Sequence, residues 1–290
     1  TVVPSLATSF KLTTVDKPIG KFSQDRFSGV FGEMGKEPQL IPVNVRMLNA
    51  SGGKKEFKAE IVDNKILTPF LVNAVVSSIM SSEERALGDL TLEMKGDIYL
   101  DNGMSIHLED LFSGNFDASI TNLSSLYAAV VYYLTNNEFK DLKIYRIDLD
   151  VQVSEEVRFS YLEKVWIDKY DVSPGEVIKA KIYTRNFRGE SVFQDVSIPT
   201  PLLPSGSEFY LIVADAISSS QFERSQYKTQ AFVPRSLNQL IRILSSLRKN
   251  NRIYFKVIAS KPGLFVKGEE MPNLPPTMKS MFSSTRATSS

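Results

Sequence analysis

The sequence predicts an α+β protein, mostly β, in which a mixed helix and antiparallel-sheet domain precedes an immunoglobulin-like β-sandwich domain. Three observations lead to this prediction. Apolar and polar residues alternate along several segments, as they do in half-buried strands. Two segments of the first half carry apolar residues at helical spacing. After Val172 the alternating segments become short, and Pro- and Gly-containing turns separate them, which is typical of a sandwich.

The α+β domain is predicted over residues 36–155. It opens with a strand at 39–47, a turn at 49–53 and a second strand through Phe57, Ala59 and Ile61. A helix follows, for which Thr68 is the predicted N-cap and Pro69 the first helical residue. Gly88 is expected to end this helix.

Strands on either side of Asn102–Gly103 predict a hairpin, because Asn-Gly tolerates the positive φ angles of a type I′ turn. A second helix is predicted at about 121–135. The longest strand of the protein is expected to follow at 145–153. Together with a further strand it forms a pair over 143–169 that bridges the two domains.

The sandwich domain is predicted over residues 156–260. Ser236 and Gln239 form a capping box, which predicts a third helix whose last turn contains Arg248 and Lys249. Residues 261–290 form a Pro- and Ser-containing tail with little periodicity.

Composition excludes several functions. The chain has no cysteine, which rules out disulfides, thiol catalysis and thiolate metal sites. A net charge of +1 gives no global field that would attract nucleic acid, and the short basic runs at 54–55 and 248–252 lack interleaved aromatics. The partner prediction therefore contains no nucleic acid. No apolar run of 18 residues occurs, so no transmembrane segment is predicted, and no signal peptide is expected at this N-terminus.

Candidate catalytic groups are few, and no catalytic, cofactor-binding or metal-binding residue is assigned. His107, the only histidine, could act as a general base or pH switch, but a surface histidine on a hairpin is the favoured interpretation. Asp148 and Asp150 share one strand face, and Arg146 beside them favours a solvated ladder of charges over acid–base chemistry. The acidic residues around the hairpin lack calcium-loop spacing.

Two segments are candidates for partner contact. Tyr132 and Tyr133 lie on the second predicted helix, whereas Tyr127 belongs to its core stripe. The tail contributes Met271, Leu274, Pro275 and Pro276, since a Pro-rich segment with apolar anchors is pre-organised to lie along a groove. It could dock onto its own chain or onto a partner, or it could be a plain tail.

Residues 2–12 and 24–32 resemble the closing segment of a SpoIVB-type serine peptidase domain. The resemblance to the region that follows that domain extends across the chain, at residues 67–69, 108–114, 165–169, 172–176, 247–254 and 271–276. The family's Gly-Met-Ser-Gly-Ser-Pro nucleophile loop and Gly-His-Pro turn are absent, so the resemblance carries over no catalytic residue and the chain is not expected to be an enzyme.

The resemblance implies that residues 1–35 are the remnant of a peptidase domain and that the chain is a processed fragment in an extracytoplasmic setting, the periplasm or cell envelope. The expected function is a non-catalytic protein-binding or structural module. Two alternatives remain. The chain could be a processed subunit that completes an active serine peptidase with an upstream fragment, or a structural subunit of a larger envelope assembly.

Overall fold

The computed structural model describes residues 2–3, 10–11, 19–83, 88–139, 142–203, 206–226, 234–259, 264–266 and 269–271. The chain divides into two compact units, Thr1–Val157 and Arg158–Ser290. Strands outnumber helices in the described residues, so the predicted α+β class with a majority of β structure is confirmed.

The first unit begins with two small antiparallel pairs. Strand β1 (Val2–Val3) pairs with β2 (Phe10–Lys11), and β3 (Gly20–Arg26) forms a hairpin with β4 (Gly29–Met34). The large apolar side chains of this second hairpin and its flank are exposed: Ile19, Phe22, Phe27, Val30, Phe31 and Met34.

The body of the first unit is a five-stranded sheet. Its strands are β5 (Leu40–Leu48), β6 (Lys54–Val62), β7 (Asp89–Leu100), β8 (Ser105–Asn115) and β9 (Ile144–Ser154). The order across the sheet is β6-β5-β9-β7-β8, with β5 and β9 parallel and all other pairs antiparallel. The strands predicted at 39–47 and around Ala59 are confirmed. The prediction that the strand at 145–153 would be the longest is wrong, because β7 is one residue longer than β9.

Two helices, α1 (Leu67–Glu83) and α2 (Phe116–Thr135), cover one face of this sheet. They run antiparallel, and Asn73 Nδ2 donates to Ser124 Oγ at 3.3 Å where they cross. The alternating apolar residues of the strands point toward the helices and are buried, among them Val43, Val45, Ile147 and Leu149. The opposite face of the sheet is polar.

Both helix starts differ from the prediction. Helix α1 begins at Leu67, and the side chain of Asn64 caps it by accepting from the amides of Ile66 and Leu67 at 2.9 and 3.0 Å. Thr68 is not the N-cap, because its hydroxyl already lies inside the first turn and donates to the carbonyl of Val62 at 2.9 Å. Helix α2 starts at Phe116, about five residues earlier than expected, with Asn115 as its N-cap.

The β7–β8 hairpin is confirmed, but its turn is not of the predicted two-residue type. The amide of Leu100 donates to the carbonyl of Met104 at 2.9 Å, which leaves a three-residue loop between them. Gly103 takes the left-handed conformation in this loop, with φ of 80°. A three-residue loop with a left-handed glycine at its end is the next commonest hairpin connection after two-residue loops.

In the second unit, β10 (Ser160–Ile167), β11 (Val177–Asn186) and β12 (Ser191–Pro199) form an antiparallel sheet with β11 in the centre. Strand β13 (Phe209–Ala214) pairs with β14 (Tyr254–Ala259). A second two-stranded pair joins β15 (Leu264–Val266) to β16 (Glu269–Met271).

The helices of the second unit are α3 (Ala216–Gln226) and α4 (Leu237–Ser245). The predicted cap of α4 is confirmed, because Ser236 Oγ accepts from the amide of Gln239 at 3.2 Å. Arg248 and Lys249 lie beyond the end of α4 rather than in its last turn, since the helix ends at Ser245. Helix α3 was not predicted. None of the helices in the described ranges is long and apolar enough to cross a membrane.

Candidate protein-interaction surface

The outward side of the α1–α2 layer carries almost no charge. Across the 17 residues of α1 and the 20 of α2, the charged side chains are Glu83 at the end of one helix and Asp117 at the start of the other. Charged residues make up 23% of the whole chain. A helix of average composition on a protein surface is polar and charged outside, so this layer differs from an ordinary solvated face. We call it the helix-layer surface.

Small neutral residues occupy the exposed positions of α2 where charged residues would be usual. Ala118, Thr121, Asn122, Ser125 and Ala129 occupy the outward side of this helix. These side chains are small and neutral, so they offer a flat surface that another protein can approach closely without desolvating an ion.

Aromatic side chains stand at one end of the helix-layer surface. Tyr132 and Tyr133 are 54% and 57% exposed, and their rings meet edge to face with centroids 5.8 Å apart. Exposed Ile66, Leu67 and Phe70 lie at the start of α1. We call these five residues the aromatic end.

Hydrogen bonds hold the two parts of the aromatic end together. Thr135 Oγ1 and Asn136 Nδ2 at the end of α2 donate to the carbonyl of Lys65 at 3.4 and 3.1 Å. The cap formed by Asn64 fixes the first turn of α1 on the other side of this junction. The exposed apolar side chains are therefore presented on ordered backbone.

Tyr127 contrasts with the two exposed tyrosines of the same helix. Its side chain is fully buried, as predicted, and its hydroxyl lies against Gly96 of β7. Burial raises the pKa of the Tyr127 phenol far above its ordinary value, and nearby carboxylates add to the effect. Within the described residues this hydroxyl has no hydrogen-bond partner.

The opposite face of the sheet carries charged side chains that are paired with one another. Asp150 accepts from Arg46, with one of the two hydrogen bonds at 2.8 Å, and this pairing raises the pKa of the guanidinium. Asp148 accepts from Asn44 Nδ2 at 2.8 Å and lies 3.0 Å from Arg146 Nε. The two aspartates are thus held by cations and an amide, which agrees with a ladder of charges.

A groove of about 660 Å³ lies on this charged face, at the end of β5. Both signs of charge line it, including Lys54, Glu56, Glu93 and Lys95. In the part of the chain that the structure describes, no group of three or more His, Asp or Glu side chains is arranged to hold a metal ion.

His107 lies on the exposed face of β8, next to Asp97 on β7, with Nδ1 and Oδ1 3.1 Å apart. The predicted position on the polar side of the hairpin is confirmed. The His107 side chain is 59% exposed, so this contact is a surface hydrogen bond between side chains of two neighbouring strands.

Of the tail residues predicted to contact a partner, only Met271 lies within the described residues. Met271 is the last residue of β16, and its backbone pairs with Leu264. Leu274, Pro275 and Pro276 lie outside the described residues. Ile66, Leu67 and Phe70 could not be predicted from the sequence as neighbours of the two tyrosines, because only the tertiary packing of α1 against α2 brings them to the same end.

Comparisons with known proteins give no relative from which a role could be transferred: no family model, no curated protein and no solved structure matches this chain.

Proposed function

We propose that the chain is a non-catalytic protein-binding module and that the helix-layer surface, with its aromatic end, is where the partner binds. The observation that carries the proposal is the near absence of charge across the two helices of this layer, of which α2 exposes its outward side and α1 exposes mainly its first turn. The core of a protein–protein interface is depleted of charged residues and enriched in tyrosine and other aromatics. This surface has both properties, with the aromatics gathered at one end.

The partner makes its strongest contacts at the aromatic end. Tyrosine is enriched among the few interface residues that carry most of the binding energy, because its rigid ring buries a large area while its hydroxyl can still find a partner. The small neutral residues along α2 then supply close contact around this anchor. On the charged face of the sheet, Asp148 and Asp150 are already paired with side chains of this chain, so this face is a less suitable binding surface for a protein partner.

We infer the setting of the module from a resemblance seen in the sequence. Its resemblance to the region after a SpoIVB-type peptidase domain supports an extracytoplasmic location, in the periplasm or cell envelope. The partner would then be the upstream peptidase fragment or a component of a larger envelope assembly. The second unit, with its antiparallel three-stranded sheet and separate two-stranded pair, would be an immunoglobulin-like sandwich.

One observation favours the alternative of a processed subunit that completes a serine peptidase. The β3–β4 hairpin exposes Phe22, Phe27 and Phe31 together with two further large apolar side chains, and Ile19 just before it is exposed as well. A two-stranded hairpin is marginally stable by itself in water and needs a surface on which to pack. In this alternative the surface belongs to the peptidase fragment.

The test compares two surfaces in one experiment. The chain and its variants are expressed in the source organism with an affinity tag, and the proteins that co-purify in stoichiometric amount are identified and quantified by mass spectrometry. One variant carries Tyr132→Ser and Tyr133→Ser, and a second carries Phe27→Ser and Phe31→Ser. Tyr145→Ser is the control, because Tyr145 is an exposed tyrosine of the same unit on β9.

We expect the tyrosine variant to lose its partner at least tenfold, while the hairpin variant and the control retain it. Loss in the hairpin variant alone, with a peptidase fragment as the partner, would support the second candidate. A chain that purifies without any stoichiometric partner, or a partner that all three variants retain, contradicts the proposed binding surface.

A further inference from the structure

The sheet of the second unit has one buried face and one exposed face. Ile178, Ala180 and Ile182 of the central strand β11 are buried on the first. On the exposed face the strand register defines three successive rows, each with a residue from β10, β11 and β12. These are Tyr161–Arg185–Ser191, Lys164–Tyr183–Phe193 and Trp166–Lys181–Asp195. Lys179 follows next along β11. We call this surface the ring–cation face.

Aromatic rings on this face are accessible. Trp166, the only tryptophan of the chain, is 50% exposed, Tyr161 is similarly exposed, and Phe193 is 65% exposed. The exposed rings stand on the two outer strands, Tyr161 and Trp166 on β10 and Phe193 on β12, with the half-buried Tyr183 of β11 between them. They give a platform with an apolar surface and a negative potential over each ring. A platform of this kind suits a ligand that presents flat ring faces of its own.

The cations of the face fall into two groups. Lys181 lies over the Phe193 ring at 5.5 Å and 3.8 Å from Asp195, and Arg185 lies 2.9 Å from Glu163. The ammonium groups of Lys164 and Lys179 are on exposed side chains and pair with no carboxylate in the described ranges, although the backbone amide of Lys179 donates to the Asp168 carboxylate at 3.1 Å. Two cations are therefore available to an anionic ligand, beside three exposed rings.

The ratio of available cations to exposed rings, two to three, bears on the class of ligand. Single-stranded nucleic acid carries one phosphate for each base, so a protein that binds it matches stacked bases with a comparable number of cations along the backbone. A ligand with more rings than charges fits better.

We propose that the ring–cation face binds a linear acidic polysaccharide with about one carboxylate for every two sugar rings. The apolar faces of the sugar rings lie on Trp166, Tyr161 and Phe193. Lys164 and Lys179 bind the carboxylates of the polysaccharide by charge-assisted hydrogen bonds. This site is separate from the helix-layer surface and does not depend on the function proposed for that surface.

The probe is an oligosaccharide of alternating glucuronate and N-acetylglucosamine, titrated into the full chain by calorimetry and by the fluorescence of Trp166. We expect saturable binding that weakens as salt is raised. Trp166→Ala should weaken binding about tenfold, the effect of removing one stacking ring. Lys164→Ala should weaken it less and reduce its salt dependence.

Matched controls are Tyr210→Ala, an exposed tyrosine of the same unit on β13, and Lys58→Ala, an exposed lysine on β6 of the first unit. Both should leave binding within twofold of the unaltered chain. Circular dichroism of each variant shows whether it is folded, and Trp166→Tyr retains a ring and should restore most of the affinity that Trp166→Ala loses.

Three outcomes would overturn the proposal. The oligosaccharide fails to bind, or it binds with equal affinity to Trp166→Ala and to the controls. In the third, oligouridylate of equal length binds more tightly than the oligosaccharide and is the ligand affected by Trp166→Ala, which assigns the face to single-stranded nucleic acid.

Discussion

At the scale of single residues, three tyrosines on one helix have two different roles. Helical spacing alone was enough to separate Tyr127 from Tyr132 and Tyr133, because the period of 3.6 places Tyr127 on the apolar stripe of α2. The residue that accommodates Tyr127 could not be predicted. Gly96 lies on another element, and a glycine inside a strand indicates close approach of some group without naming it.

The contact between Tyr127 and Gly96 leads to opposite expectations for two substitutions. Tyr127→Phe should raise the free energy of unfolding by about 1 kcal/mol, since it removes a buried hydroxyl that has no partner in the described structure. Gly96→Ala should lower it by about 3 kcal/mol, because the new Cβ would overlap the Tyr127 hydroxyl and the carbonyl of Asp148. Urea denaturation of both variants measures these changes.

The double variant provides the control. Removing the hydroxyl relieves only one of the two overlaps, so Gly96→Ala should remain destabilising in the Tyr127→Phe background, but by a smaller amount. Equal costs in both backgrounds would mean that the hydroxyl does not occupy the space above Gly96.

At the scale of elements, the sequence predicted a helix well where the cap and the apolar stripe agreed. Helix α4 has both, and its predicted start is correct. Helix α3 has a good cap, because Asp215 accepts from the amide of Ser218 at 2.7 Å, but its mostly polar sequence lacks an apolar period. An Asp-x-x-Ser signal was present and could have been used. The formation of α3 instead depends on tertiary contacts.

Glu223 of α3 makes the most extensive of these contacts. Arg248 donates to its two carboxylate oxygens at 2.6 and 2.9 Å, and Lys256 of β14 donates at 2.8 Å. Burial by itself pushes the pKa of Glu223 upward, but the hydrogen bonds from Arg248 and Lys256 outweigh it and leave the pKa below the ordinary value of 4.5. Sequence reasoning placed Arg248 at a helix end and so missed this pairing.

Because folding lowers this pKa, the contribution of Glu223 to stability is fully present above pH 4.5 and is lost as the pH falls through the folded value. Glu223→Gln should cost about 1.5 kcal/mol at pH 7. The difference between the unaltered chain and the variant should shrink as the pH is lowered below 4.5, which urea denaturation at several pH values measures. Glu190→Gln, at an exposed turn, is the control. A difference that does not vary with pH would contradict the assigned ion pairs.

At the scale of the whole molecule, alternation along each strand predicted which side chains are buried but not which strands are neighbours. The parallel pairing of β5 with β9 joins segments 104 residues apart and places Arg46 beside Asp150. The sequence suggested Arg146 as the neighbour of both aspartates, and it could not show the partner on a distant strand. For the same reason it could not show that charges gather on one side of the first unit and neutral residues on the other.

The division of the chain into two compact units predicts two unfolding transitions. Each unit has its own sheet, helices and buried apolar residues, and domains with separate cores unfold as separate cooperative units. Tyr127→Phe changes only the first unit and Glu223→Gln only the second. Scanning calorimetry of the full chain should therefore show one transition that rises with Tyr127→Phe and another that falls with Glu223→Gln, each without moving the other.

The same two variants also test whether the whole chain unfolds in a single transition. If either substitution shifts a single common transition, the free energy of one unit is coupled to the other, and the chain unfolds as one cooperative body. Such coupling would mean that a partner bound at the helix-layer surface also stabilises the unit that carries the ring–cation face, since a ligand of the folded state raises the stability of everything that unfolds with it. Two independent transitions would instead allow each surface to bind without a thermodynamic effect on the other.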